Sequence, residues 1–324
     1  MAAHQHWNLY WESGAQGSFE TDGSDESGTA ATALWEAFFA GLAEGARHLD
    51  VGCGNGGVSL IAARQAQSSG RALLLHAVDL ASIHPDRSPA GRQLAEAGVT
   101  FRGGVDMTAL PFEDGSFDAV TGQYALEYAD IDRALAEIVR VLAANGRARF
   151  VVHHARSLVV TKARDEVCHL GWLLGRSGLF DVAHGFLGRI AGVTSAEAIR
   201  ALQGDPEAEA LRLRFNAVCD EVGARIADGE SVGGLRRVLG QLGEIIKSRA
   251  GLDAAQATGM VGEIKLQVEA HRARLDDLLD AARDESGMRT VVEHLTALGA
   301  RDVGFDLLHH ANGALLGWRL DFLR

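Results

Sequence analysis

The stretch His48–Val58 reads HLDVGCGNGGV and joins three signals that together indicate the fold. A short apolar strand runs into a cluster of glycines, and an apolar helix pattern follows directly. Glycines in such a turn let a ligand approach the backbone closely, and the free N–H groups at the start of the helix can bind it. The sequence therefore predicts a ligand-binding strand–turn–helix unit at this point.

Strand and helix patterns alternate on both sides of this unit, which is typical of a parallel sheet covered by helices on both faces. Near the end of the chain, the strand patterns Val303–Leu308 and Ala314–Phe322 are separated by an Ala-Asn-Gly turn. We therefore predict an α/β fold with a doubly wound, mostly parallel seven-stranded sheet. Its terminal hairpin contributes an antiparallel strand, and a large all-helical insertion interrupts the pattern.

The patterns divide the chain into three predicted parts. Residues 1–30 are expected to form an N-terminal helix and loop that cap the protein. Residues 31–155 and 286–324 form the α/β domain, and residues 156–285 carry apolar stripes at helical spacing. The helical insertion follows the fifth predicted strand, so it is predicted either to cover a substrate pocket as a lid or to form a homodimer interface.

Composition and charge exclude several classes of function. The 324 residues carry a net charge of −12, which gives no electrostatic footprint for a nucleic acid. No apolar run is long enough to cross a membrane, and no basic amphipathic helix indicates binding to a membrane surface. The cysteines Cys53, Cys168 and Cys219 form neither a zinc pattern nor a disulfide framework, so we expect a cytoplasmic protein without a metal.

Three aspartates follow predicted strands in register with the glycine turn. Asp79 closes the second strand, where a carboxylate can hold two ribose hydroxyl groups, and this feature alone fits NAD and other adenosine cofactors alike. Asp50 precedes the turn, where a carboxylate can orient a ligand ammonium group but is poorly placed beside a pyrophosphate. Asp106 precedes Leu-Pro-Phe and suits an adenine amino group. The last two features favour an adenosyl cofactor other than NAD.

Several segments at this point match one known family. They are LDVGCGNG at 49–56, the segment 105–120, ALEY at 125–128 and ALAEIVRVL at 134–142. The chain resembles the class I S-adenosylmethionine (SAM)-dependent methyltransferases over about residues 47–152 and in the terminal helix and hairpin. It departs from the family at Tyr128, where His is frequent, and at 144–146, where Ala-Asn-Gly replaces Pro-Gly-Gly.

The resemblance implies a set of cofactor-binding residues, with S-adenosylhomocysteine as the product. The methionine part would lie against Asp50, Gly52 and Gly54. Asp79 would bind the ribose, with Leu80 near the adenine, while Asp106 and Met107 would contact the adenine. Gln123 and Tyr124 would face the sulfonium methyl group.

The implied reaction is in-line transfer of that methyl group to an O, N, S or C nucleophile of a small-molecule acceptor. Where the acceptor needs a general base, the candidates are His153 and His154, because they end the fifth strand at the expected cleft. The substrate-side candidates are Tyr10, Trp11, Tyr124 and Trp172. Three alternatives stay open: a peptide or protein acceptor, an NAD-dependent oxidoreductase, and a non-catalytic scaffold that binds a partner through its helices.

Overall fold

A computed structural model of the chain describes residues 4–15 and 26–324. These residues belong to two compact units, one of Met1–Thr161 with Asp277–Arg324 and one of Lys162–Asp276. The first unit contains the sheet. Its strands are β1 (Arg47–Val51), β2 (Leu74–Asp79), β3 (Thr100–Gly103), β4 (Phe117–Gln123), β5 (Leu142–Val152), β6 (Arg301–His309) and β7 (Leu315–Leu323).

The strand order is β3-β2-β1-β4-β5-β7-β6, and β7 runs antiparallel to both of its neighbours. The other paired strands are parallel, so the predicted seven-stranded, mostly parallel sheet with an antiparallel hairpin strand is confirmed. The order reverses between β1 and β4. In doubly wound sheets this is the point where ligands bind, at the carboxyl ends of the strands.

Helices cover both faces of the sheet. The helices of the first unit are α1 (Gln5–Glu12), α2 (Glu26–Ala40), α3 (Gly57–Ser69), α4 (Gly91–Glu96), α5 (Ile131–Val141) and α12 (Glu285–Ala297). One apolar cluster joins α2 and α3 to the sheet, with Trp35 and Phe39 fully buried. A second cluster packs Leu135 and Ile138 of α5 and Leu295 of α12 against the opposite face.

The chain continues through helices α6 (Leu158–Gly175), α7 (Leu179–Ile190), α8 (Ala196–Gln203), α9 (Pro206–Asp228), α10 (Gly233–Ser248) and α11 (Ala254–Ala281). The predicted apolar stripes form the interior of the second unit. Phe215 and Val222 of α9 and Leu242 of α10 are buried there. Helix α9 starts at Pro206, where the N-cap residue Asp205 accepts a hydrogen bond from the Glu207 N–H.

The helices and compact units begin and end at residues that differ from the predicted domain boundaries. The boundary at 30/31 falls inside α2, because the alanine-rich stretch around it favours a continuous helix over a break. The boundary at 285/286 falls inside α12, and the residues of α11 from Asp277 onward already belong to the first unit. The loop predicted within residues 1–30 falls mainly on residues 16–25, which lie outside the described residues, and residues 26–30 belong to α2.

Candidate functional site

The turn after β1 can be built only with glycine at its key positions. Gly52 has a φ of 64° and Gly54 a φ of 51°, both in the left-handed region that other residues avoid. A Cβ atom at Gly52 would overlap the Cβ of Ala125, and one at Gly54 would overlap the ring of Trp11. The turn is therefore close-packed and leaves no room for a side chain at Gly52 or Gly54.

Asp50, at the end of β1, is buried and bonded to two hydroxyl groups. Ser59 Oγ donates to Asp50 Oδ2 at 2.8 Å, and Thr121 Oγ1 donates to Oδ1 at 3.3 Å. Burial raises the pKa of this carboxyl to about 7, although the hydrogen bonds oppose the shift. Both oxygens of the Asp50 carboxylate are therefore already engaged by protein hydroxyl groups.

The raised pKa makes Asp50→Asn a test of this environment. The native state binds the Asp50 proton more tightly than the unfolded chain does, so this carboxyl costs stability as the pH rises from about 4 to about 7. We expect the variant to gain stability relative to the wild type across that window. The gain should be on the order of 4 kcal/mol near pH 8, measured by urea unfolding at a series of pH values.

The control is Asp118→Asn, because a hydrogen bond from Arg47 lowers the pKa of Asp118. It should lose stability relative to the wild type as the pH rises through the range where Asp118 ionises. Burial also raises the pKa of Glu127 to about 7. Glu127 is present in both the variant and the wild type, so its contribution to their difference in stability cancels. A constant difference between Asp50→Asn and wild type over pH 4–8 would contradict the interpretation of Asp50.

Asp79 ties the end of β2 to the glycine turn. Its Oδ2 accepts a hydrogen bond from the Gly54 N–H at 2.8 Å, and its Oδ1 accepts one from the Ala81 N–H at 2.8 Å. Burial raises the pKa of this carboxyl. The next side chain, Leu80, is 43% exposed, which is unusual for leucine and leaves an apolar surface beside the carboxylate.

Asp106 and Met107 lie in the loop after β3, at the same edge of the sheet. Asp106 is exposed, and its Oδ1 accepts a hydrogen bond from the Thr108 N–H at 2.8 Å. The Cε of Met107 lies 3.5 Å from the position that a Cβ of Gly52 would occupy. The structure thus brings Met107 to the glycine turn.

Gln123 and Tyr124 stand where β4 ends. The side-chain carbonyl of Gln123 accepts a hydrogen bond from Trp35 Nε1 at 2.6 Å, so this side chain is fixed by α2. Tyr124 has a left-handed backbone with a φ of 53°, and its hydroxyl donates to the Leu316 carbonyl at 3.3 Å. The backbone therefore turns sharply at the carboxyl edge of the sheet beside Gly52.

The two candidate bases differ in their surroundings. His153 is fully buried, its ring stacks on Tyr124 with centroids 4.1 Å apart, and burial lowers its pKa to about 3. His154 packs on Trp318 and accepts a hydrogen bond from the Arg156 N–H at its Nδ1. It also lines a cavity of about 440 Å³ together with Asp284. Only His154 therefore borders open space of ligand size.

Helix α1 supplies a part of this site that sequence analysis assigned to the substrate side. Trp11 is buried, and its ring lies on Gly54, while Tyr10 packs against it with ring centroids 4.9 Å apart. The fully buried Asn55 donates from Nδ2 to the carbonyl groups of Trp11 and Ala15. The role of Asn55 was missed, and its only signal was an amide inside the glycine turn.

Trp172 lies in the second unit, on α6. The guanidinium of Arg225 lies 3.9 Å from the centroid of its ring, which is a close cation–π contact. Both residues belong to the second unit, so Trp172 has a structural partner there. The assignment of Trp172 to the substrate side stays a prediction.

Over residues 4–15 and 26–324, no set of three His, Cys, Asp or Glu side chains is placed to hold a metal ion. Among the helices in these same ranges, none has both the length and the apolar character needed to cross a bilayer.

Comparison with known proteins identifies the family of the segment that contains the glycine turn. Residues 49–150 match the family described as a methyltransferase domain. Residues 49–150 form a class I methyltransferase domain. The resemblance predicted from the glycine turn and the strand-end aspartates is confirmed for this domain.

Two curated relatives match part of this chain. A sterol 4-C-methyltransferase of Caenorhabditis elegans is 34% identical over 35% of this chain and 32% of its own length. A demethylmenaquinone methyltransferase of Thermus thermophilus is 38% identical over 31% of this chain and 44% of its own. The chain spans less than half the length of these relatives.

A solved structure also shows partial similarity to this chain. A geranyl diphosphate methyltransferase in complex with GPP and sinefungin is 26% identical, with a TM-score of 0.32. The match covers 38% of this chain and 44% of that one.

Proposed function

We propose that the protein transfers a methyl group from SAM to a small-molecule acceptor. The observation that carries this proposal is the glycine turn of the methyltransferase domain. Its left-handed Gly52 and Gly54 form a cradle without side chains, and Asp79 holds that cradle at the point where the strand order reverses. The names of the curated relatives support a small-molecule acceptor over a peptide or protein.

We propose that residues at the carboxyl edge of the sheet bind SAM. We propose that Gly52 and Gly54 let the methionine part approach the backbone, with the buried Asp50 facing its ammonium group through charge or water. Asp79 would accept from the ribose hydroxyls, next to the exposed surface of Leu80. Asp106 would accept a hydrogen bond from the adenine amino group, and Met107 would lie against the adenine ring. Gln123 is also proposed to contact the cofactor.

SAM supplies a sulfonium-bound methyl group that already carries a good leaving group. The protein then has to align the acceptor and exclude water, effects that can lower a barrier by roughly 7–11 kcal/mol. The bent backbone at Tyr124 and the fixed side chain of Gln123 suit this task, because both are held rigidly by neighbouring residues. We propose that these two residues define the wall nearest the transferred methyl group.

Where the acceptor must lose a proton, we propose His154 over His153 as the base. A group with a pKa of about 3 removes protons poorly near neutral pH, and His153 is closed off from open space. His154 borders the cavity, and its Nδ1 is held by the Arg156 N–H. In the neutral imidazole Nε2 therefore carries the proton, and Nδ1 is the nitrogen that can accept one. Proton transfer to Nδ1 requires that its hydrogen bond from the Arg156 N–H be released.

Three further proposals concern the whole chain. The helical unit, Lys162–Asp276, serves as an acceptor lid or as a homodimer interface. The protein works in the cytoplasm, in keeping with three free cysteines. Its strong net negative charge argues for an acceptor other than a nucleic acid.

The proposed function is tested by calorimetric titration with SAM, S-adenosylhomocysteine and NAD. We expect both adenosyl sulfur compounds to bind and NAD not to bind. Asp106→Ala should weaken SAM binding about tenfold, the loss of one good hydrogen bond to the adenine, with an unchanged melting temperature because Asp106 is exposed. Binding of NAD without SAM would contradict the proposal and restore the oxidoreductase alternative.

A protein that binds SAM is then incubated with SAM carrying a labelled methyl group and with metabolite extract. Label recovered in small molecules supports the proposed acceptor class. Label recovered only in protein would favour the peptide alternative, and no transfer of label to any fraction would favour the non-catalytic scaffold.

A further inference from the structure

Two side chains of α1 meet a single carboxylate of α11. His6 Nε2 lies 2.6 Å from Asp277 Oδ2, and Trp7 Nε1 donates to the same oxygen at 2.9 Å. A carboxylate oxygen that accepts from the indole can also accept from the imidazole, so Nε2 of His6 is the donor. Asp277 thus anchors the start of α1 with two hydrogen bonds.

Helix α1 depends on such anchors. It has eight residues, which is too short to be stable alone, and the residue before it, His4, is left-handed with no side-chain cap. Trp7 and Trp11, one helical turn apart, have ring centroids 6.3 Å apart and nearly parallel planes. The side chain held by Asp277 therefore packs directly on the one that covers Gly54.

The other end of α1 is fixed to the loops of the proposed cofactor site. Asn8 Oδ1 accepts a hydrogen bond from the Ser82 N–H at 2.8 Å, in the loop that follows Asp79. Asn55 Nδ2 donates to the Trp11 carbonyl at 3.0 Å. Helix α1 therefore bridges the Asp277 carboxylate on one side and the loops after β1 and β2 on the other.

We propose that Asp277 is a positioning residue for the cofactor: it holds α1 so that Trp11 closes the glycine turn around bound SAM. This inference rests on the proposed function. Asp277 is not expected to touch the cofactor, and it acts through Trp7 and Trp11. Because its side chain is 39% exposed, its removal should leave the fold intact.

The test compares Asp277→Ala with Asp276→Ala in the full chain. Both variants remove one carboxylate from adjacent positions of α11, but Asp276 only faces Arg272 at 3.6 Å on the surface. We expect Asp277→Ala to raise the SAM dissociation constant about tenfold, in line with two lost hydrogen bonds. Asp276→Ala should stay within about twofold of wild type, the scale of a surface ion pair.

Three further measurements separate positioning from a general loss of structure. Tryptophan emission of the ligand-free protein should shift to longer wavelength in Asp277→Ala only, as Trp7 and Trp11 become more exposed. Asp277→Asn, which keeps one acceptor oxygen, should recover part of the affinity. If Asp277→Ala fails to fold, Trp7→Phe removes one donor but keeps a ring, and it should weaken SAM binding by a smaller factor.

Equal SAM affinity in wild type and Asp277→Ala would overturn the inference, as would equal weakening in both alanine variants or unchanged affinity in Trp7→Phe. If wild-type protein does not bind SAM, the proposed function fails first. The emission shift still shows in that case whether Asp277 positions α1.

Discussion

Replacement of Gly52 by alanine is expected to abolish SAM binding and to lower the free energy of unfolding by about 3 kcal/mol. A left-handed backbone costs a residue with a Cβ atom about 1–2 kcal/mol, and an overlap in a packed region typically costs about 1–3 kcal/mol more. The Cβ of Ala125 stands where the new Cβ would go. Relief of this overlap must move the turn or the loop after β4, and both line the proposed site.

The matched control is Gly45→Ala. Gly45 has a φ of 73°, but no atom lies within 4 Å of the position of its Cβ. It should therefore lose only the conformational part, about 1–2 kcal/mol, and bind SAM as the wild type does. Urea unfolding and calorimetry measure both effects. Unchanged SAM affinity in Gly52→Ala would show that the cradle does not hold the cofactor.

The second large effect is expected for Asp79→Ala. This change leaves the buried N–H groups of Gly54 and Ala81 without their acceptor, at a cost of about 2 kcal/mol in the free energy of unfolding. It also removes the proposed acceptor for the ribose hydroxyls. The SAM dissociation constant should therefore rise by more than about tenfold, as measured by calorimetry on protein shown to be folded.

Asp130→Ala is the control for Asp79→Ala. Asp130 also accepts from a backbone N–H, that of Arg133, but as the N-cap of α5. Its loss should cost about 1 kcal/mol and leave SAM affinity unchanged. If the two variants lost stability alike and neither lost affinity, Asp79 would be a structural residue only.

Local sequence signals predicted the sheet and the methyltransferase domain because both depend on short-range patterns. The apolar strand, the glycine turn and the helix that follows are contiguous between His48 and Ser69. The terminal hairpin was equally local, with its turn residues at 311–313. The strand-end positions of Asp50 and Asp79 follow from the same patterns, while their roles toward SAM stay predictions.

The contacts that sequence analysis missed join residues far apart in the chain. Trp35 of α2 donates to Gln123 at the end of β4, and Asp277 binds His6 and Trp7 from nearly the opposite end of the sequence. Neither pair leaves a periodic pattern that could be detected in one sequence. The surroundings of His153 were also hidden, because a histidine at the end of a strand looks the same whether it is buried or open.

The position of β7 between β5 and β6 has a consequence for synthesis of the chain on the ribosome. When β5 (Leu142–Val152) has emerged, only β4 is available to pair with it, and its other edge waits for Leu315–Leu323. All of Lys162–Asp276 is translated in between. An unpaired edge of this kind invites association with other chains, so the nascent protein is exposed to aggregation until β7 is made.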